Sequence, residues 1–156
     1  MGASARQPDD FAVAFDSAFA ALQVRIESAC AAAGDWPGGV AAGIGAAFDW
    51  VAEEPRAAQL LTNDALAGGS AGFERYERMV AYIAELLAPG RGQAEHGERL
   101  PAITERAMAS GVAMLVAQRL SMSREGELPE LAPEAVQFVL TPYLGSGEAR
   151  KVAGLD

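Results

Sequence analysis

Apolar residues recur along this chain at intervals of three and four, and no segment alternates with period two over a convincing length. The pattern therefore predicts helices throughout. Phe11, Phe15, Phe19, Leu22, Ile26, Cys30 and Ala33 share one face of a first helix. Pro8 suits its first turn, Asp9 and Asp10 follow where the helix dipole favours negative charge, and Gly34 terminates it. Asp35-Trp36-Pro37 supplies a cap and an early proline for a second helix that Glu54-Pro55 ends, with Val40, Ile44, Ala47, Phe48 and Val51 on its buried side. Gly38, Gly39, Gly43 and Gly45 weaken this helix, and either permit close packing or leave a pliable wall.

Pro55 opens a third helix predicted to run to about Ala67 and to stop at Gly68-Gly69, with Leu60, Leu61, Ala65 and Leu66 inward. Ser70 is the expected N-cap of a fourth helix, whose stripes are Phe73, Tyr76, Val80, Ile83 and Leu87 on one side and Met79, Tyr82 and Leu86 on the other. Apolar material on two sides places it centrally. Pro89-Gly90 ends it, and residues 91–99 read as a polar, flexible loop.

The segment from Leu100 to Leu144 organises the rest. Between Ala107 and Ala117 no residue is charged, and small residues alternate with Met108, Val112, Met114, Leu115 and Val116 around the whole circumference. A helix apolar on every side must be covered on every side. A second helix, Pro133 to Leu144, carries Val136, Val139, Leu140 and Tyr143 at helical spacing before Pro142 and Gly145 close it. Two such helices per chain give a four-helix contact in a two-fold homodimer, with Met108, Gly111, Val112, Leu115, Val136, Val139, Leu140 and Tyr143 at the interface. The alternative is a monomer whose central helix is wrapped by its neighbours. The tail, residues 146–156, holds few apolar residues and is expected to be flexible, as is a disordered start over residues 1–7. The fold class is thus all-α, an antiparallel bundle of about six helices, with one helical domain over residues 8–145.

Composition narrows the function. With 156 residues, one domain with a real core is expected. A net charge of −9 repels a phosphate backbone. The single Cys30 excludes an internal disulfide and a cysteine metal cluster, which suits a reducing cytoplasm. No apolar run has membrane-spanning length, so no membrane partner is expected.

Catalytic readings fail on context. Gly68-Gly69-Ser70-Ala71-Gly72 matches the Gly-x-Ser-x-Gly elbow, but a helix rather than a strand precedes it, and the only histidine, His96, sits in a Gly- and Glu-rich loop. Gln93 stands where a carboxylate metal motif needs glutamate three residues before His96, and Gly43-Ile44-Gly45 lies inside a helix. No catalytic residue, metal or cofactor is expected. Met79, Met108 and Met114 read as core or as adaptable pocket lining, and Cys30 as a small buried hydrophobe.

Gly34-Asp35-Trp36-Pro37, Val51-Ala52-Glu53-Glu54-Pro55, Asp64-Ala65-Leu66-Ala67-Gly68, Leu128-Pro129-Glu130-Leu131-Ala132-Pro133 and Thr141-Pro142-Tyr143-Leu144-Gly145 occur in an order and spacing that resembles the C-terminal domain of the tetracycline-repressor (TetR) family of transcriptional regulators. The resemblance implies an effector-sensing and dimerisation domain, with a pocket among the middle helices and a dimer made by the last two long ones. Helical facing then nominates Phe15, Phe19, Trp50, Asn63, Met79, Tyr82 and Met108 as lining for a small, mostly apolar effector. Thr62 and Asn63 are polar where relatives tend to be apolar, and serve as pocket anchors or as surface, while Asp64 is expected at the surface. Family members read DNA through a helix-turn-helix placed before the position of Pro8, which these residues do not contain, so the chain is not expected to bind DNA alone. A stand-alone dimerisation partner that pairs with full-length regulators and takes no ligand is the other reading.

Overall fold

A computed structural model describes residues 8–155, which form an all-α bundle with no strand among the described residues. The start over residues 1–7 lies outside the described residues. Helix α1 (Pro8–Ala32) buries Phe15, Phe19, Leu22 and Ile26 on the expected stripe. Asp35 then caps α2 (Trp36–Glu53), its carboxylate accepting from the Gly38 amide at 2.8 Å, with Pro37 in the first turn. Helix α2 lies along α1 on one side and along the penultimate helix on the other.

The third helix expected over residues 55–67 is broken in two, α3 (Pro55–Leu61) and α4 (Asn63–Ala67). The break falls at Thr62, whose hydroxyl donates to the Ala58 carbonyl at 2.9 Å. The Asn63 amide donates to Gln59 and across to the Ala117 carbonyl, both at 3.0 Å. Short polar side chains that bond locally to the backbone compete with helix continuation, which explains the kink at this pair. Helix α5 (Gly69–Leu87) begins on the left-handed backbone of Gly69, at φ 71°, so the expected Ser70 cap is not used and Ser70 lies in the first turn. A Cβ on Gly72 would overlap the Ala65 carbonyl, and this lets α4 and α5 cross closely. On α5, Tyr76, Met79, Val80 and Leu87 are buried, whereas Phe73, expected on the same stripe, is half exposed.

Residues 91–99 are more ordered than their composition predicts. A short α6 (Gly90–Gln93) and a 3-10 turn (Gly97–Arg99) close around Arg91, which donates to the carbonyls of Gly97, Leu100 and Pro101. Its Nε bonds Glu105 at 2.9 Å. One guanidinium with five donors thus organises a loop that lacks large apolar residues.

Helix α7 (Thr104–Ser121) turns Ala109, Ala113, Val116, Ala117 and Leu120 inward. Helix α8 (Leu128–Leu144) starts earlier than Pro133, because Pro129 sits in its first turn, where a missing amide costs nothing. Gly145, at φ 81°, ends it. The tail expected to be flexible instead forms α9 (Ser146–Ala153), which seats the fully buried Ala149 against α8. The left-handed Gly154 closes α9, and the Leu155 amide reaches back to the Arg150 carbonyl at 3.0 Å.

Two hydrophobic clusters result. The larger gathers α1, α3, α5 and α7 with part of α2, and the smaller joins α2, α8 and α9 through Val40, Val136, Val139, Leu140 and Ala149. This corrects the expected interface. Val136, Val139, Leu140 and Tyr143 are each less than 5% exposed, so the widest apolar stripe of α8 is already spent within its own chain and offers no surface to a second copy.

Candidate functional site

Where α1, α2, α5 and α7 converge, the bundle is hollow. An inner cavity of about 60 Å³ lies between Leu22, Phe48, Trp50, Leu61, Met79, Val116 and their neighbours. An outer cavity of about 360 Å³ adjoins it and shares Ile26, Ala47, Phe48, Ile83 and Val112 as a common wall. The outer chamber opens to solvent past Asp35, Glu85 and Pro89, all exposed.

Two glycines of α2 line the outer chamber where this helix packs closely on α1. Gly39 and Gly43 turn toward Cys30, and a Cβ built on either would already lie within 4 Å of that residue, so no side chain projects from this side. The Cys30 thiol donates to the Gly39 carbonyl at 3.3 Å, and burial followed by the nearby Glu27 charge pushes its pKa up. Such a thiol is a poor nucleophile. Trp36 spans the far wall, its indole nitrogen donating to the Leu86 carbonyl at 3.0 Å and thereby tying the start of α2 to the end of α5. Its ring meets Tyr143 edge-on, with centroids 5.4 Å apart. The Tyr143 hydroxyl donates to Glu105 at 2.8 Å, and Glu105 in turn holds Arg91. Burial, then the hydrogen bond to Glu105, raises the Tyr143 pKa above the ordinary tyrosine value. The cavity wall is therefore linked through one polar chain to the loop after α5.

Both chambers are apolar, and polar groups enter at only a few points. The Thr62 hydroxyl, 3% exposed, lines the inner one. Asp35 and Glu85 stand at the outer mouth.

The residues nominated as pocket lining separate. Trp50 and Met79 line the inner chamber. Phe15, Phe19 and Tyr82 instead pack on one another, with ring centroids 6.1 Å and 5.5 Å apart, and fill the space they were expected to surround. The Tyr82 hydroxyl is taken up by Glu27 at 3.1 Å, and burial followed by that bond raises its pKa to about 12. Asn63 is engaged by α7, and Met108 packs into the smaller cluster and borders a surface groove, so neither faces a chamber. Residues missed by facing alone are Cys30, Trp36, Gly39, Gly43, Ala47 and Ile83. The run of glycines in α2 was the signal that could have found them.

A second feature lies on the outside of α7 and α8. Met114 and Phe138 are each 51% exposed, and Gly111 opens a groove bordered by Leu115, Arg119, Leu131 and Glu134. Of the residues expected to meet a second copy, Met108, Gly111, Val112 and Leu115 remain on or beside this face. The Phe138 ring lies over Gly111, where a Cβ would come within 3.5 Å of it. Arg119 Nε is buried without an acceptor, and Glu134 makes no ion pair among the described residues.

Ser70 lies in the first turn of α5 directly after α4, and His96 faces Glu95 and Glu98 across 3.9 Å and 3.8 Å. Among the described residues no three His, Cys, Asp or Glu side chains gather as a metal site, and no helix is long and apolar enough to cross a membrane. No family model, curated protein or solved structure matches the chain.

Proposed function

We propose that this chain is a TetR-like effector-sensing and dimerisation domain of a transcriptional regulator, binding a small, mostly apolar molecule and acting as a non-enzymatic homodimer. The observation that carries the reading is the apolar double cavity between α1, α2, α5 and α7. Its outer chamber, about 360 Å³, falls in the range of small-molecule sites, which are concave, mostly apolar and furnished with a few polar groups.

Effector binding would act by population shift. Helices α1 and α5 border the cavity on opposite sides and are joined by side chains, Phe19 to Tyr82, Tyr82 to Glu27 and Arg75 to Asp16. A ligand that favours one separation of these helices over another changes the equilibrium between them by its differential affinity. The DNA-reading unit of such a regulator lies outside these residues.

The α7–α8 face supports the homodimer. A two-fold contact sets residue i against j and j against i, so the exposed Met114 and Phe138 of one copy can meet the α7–α8 groove of the other. Native mass spectrometry tests both parts at once. A particle of twice the chain mass carrying extra small-molecule mass is expected, and Phe138→Glu should return it to a monomer. A monomer at micromolar concentration overturns the dimer. A clean dimer with no measurable affinity for apolar molecules turns the reading into that of a ligand-free dimerisation partner.

A further inference from the structure

The outer chamber has a sign as well as a shape. The charged side chains that line it are Asp35 and Glu85, both carboxylates, and no lysine or arginine does so. Glu85 makes no hydrogen bond or ion pair among the described residues, and Glu27 stands one helical turn before Cys30 on α1, close enough to raise its thiol pKa.

The backbone adds to the same field. The chamber mouth lies where α1 and α5 end, and neither helix has a basic residue in its last turn, so no side-chain cation there offsets the partial negative charge of the two C-termini. The start of α2 points the opposite way and partly offsets the Asp35 carboxylate that caps it, so Glu85 carries most of the negative charge at the mouth. Behind the mouth, Ile26, Gly43, Ile44, Ala47 and Phe48 offer only apolar surface, and the way inward ends at the inner chamber.

Building on the proposed effector site, we infer that its ligand is a cationic amphiphile: an alkyl or aryl body in the chamber with an ammonium or similar positive group at the mouth beside Glu85 and Asp35. A neutral molecule of the same body would bury the same apolar surface without the charge contact. An anion would bring a third negative charge to a rim that already carries two.

Three ligands of one chain length separate these cases: octylammonium, octanol and octanoate, each below its micelle concentration, titrated into the full chain by isothermal calorimetry. The ammonium is expected to bind about fivefold tighter than the alcohol, since each exposed carboxylate contributes only modestly, and octanoate should bind weakest. Glu85→Gln should reduce the preference, as should raising the salt from about 0.05 to about 0.5 M, where screening shortens the reach of rim charges. Ala47→Leu, which fills the wall shared by both chambers, should abolish binding of all three while circular dichroism shows the helices intact. Equal affinity for the three, or a preference for octanoate, overturns the cationic assignment and leaves the apolar site standing. Binding of none of them removes the effector site itself, and ammonium binding that survives Ala47→Leu shows a surface charge effect and overturns the inference.

Discussion

The two halves of α1 carry one continuous apolar stripe and yet do opposite things. In the first half, Phe11, Phe15 and Phe19 meet one another and Tyr82 in a ladder of rings 6.1, 6.1 and 5.5 Å apart, and nothing is left open. In the second half, Ile26 and Cys30 sit close against Gly39 and Gly43, and beside that contact a cavity of about 360 Å³ stays open. The stripe itself does not decide which half is solid. What differs is the partner helix: the Tyr82 ring of α5 meets the first half, and close-packed glycines of α2 meet the second. In a close-packed interior a hole must be made by omission, because large side chains fill whatever room they have.

Replacing Phe15 with alanine tests the solid half and has the largest expected effect. The side chain is fully buried, so a loss of about 3–5 kcal/mol is expected by chemical denaturation. A loss under about 1 kcal/mol would mean that this half is also loosely filled. Trp36→Phe tests the wall of the hollow half. It removes the donor to the Leu86 carbonyl at 3.0 Å while keeping an aromatic ring, and should cost about 1 kcal/mol of stability and loosen ligand affinity.

Glycine substitutions in α2 sharpen the contrast further. A Cβ on Gly45 meets nothing within 4 Å, so Gly45→Ala should stabilise by about 0.5–1 kcal/mol through helix propensity alone. At Gly43 the Cβ would come 3.2 Å from the Cys30 sulfur, so the same gain is offset by displacing the thiol, and the thermal midpoint should hardly move. Affinity for an apolar ligand should fall for Gly43→Ala and be unchanged for Gly45→Ala.

A pH dependence is carried by the last ring of the ladder. The Tyr82 pKa is raised from 10 to about 12, so the folded state favours the neutral phenol. Its contribution to stability is fully present below pH 10 and is lost as pH rises toward about 12. Tyr82→Phe should remove the tyrosine transition near pH 12 from a spectrophotometric phenolate titration. A Tyr82 that titrates near 10 in the folded protein would contradict the packing of its ring against Phe19 and its bond to Glu27.

Much of the bundle was legible because it follows from local signals. The apolar period, the Asp35 cap and the prolines at positions 37 and 55 mark helices wherever they occur. Elements settled by a single polar side chain were not. Thr62 breaks a helix by bonding back to Ala58, Arg91 orders a loop through three carbonyls, and α9 is held through Ala149, Val152 and Ala153, too few apolar residues to stand out in the sequence. The site was half legible for a related reason. Periodicity identifies which side chains turn inward, and so named Trp50 and Met79, but it is blind to whether inward side chains touch. The expected dimer face shows the same blindness. The four positions of α8 do face inward together, but toward α2 of their own chain.

The two tryptophans of the chain are divided between the two chambers. Trp50, 4% exposed, looks into the inner one, and the half-buried Trp36 forms a wall of the outer one. The molecule therefore carries a separate optical reporter in each compartment. Emission from Trp50 should lie to the blue and resist aqueous quenchers, whereas Trp36 should respond first to anything that enters from solvent. Single replacements of each by phenylalanine would resolve the two signals and time the passage of a guest from one compartment to the next without any added label.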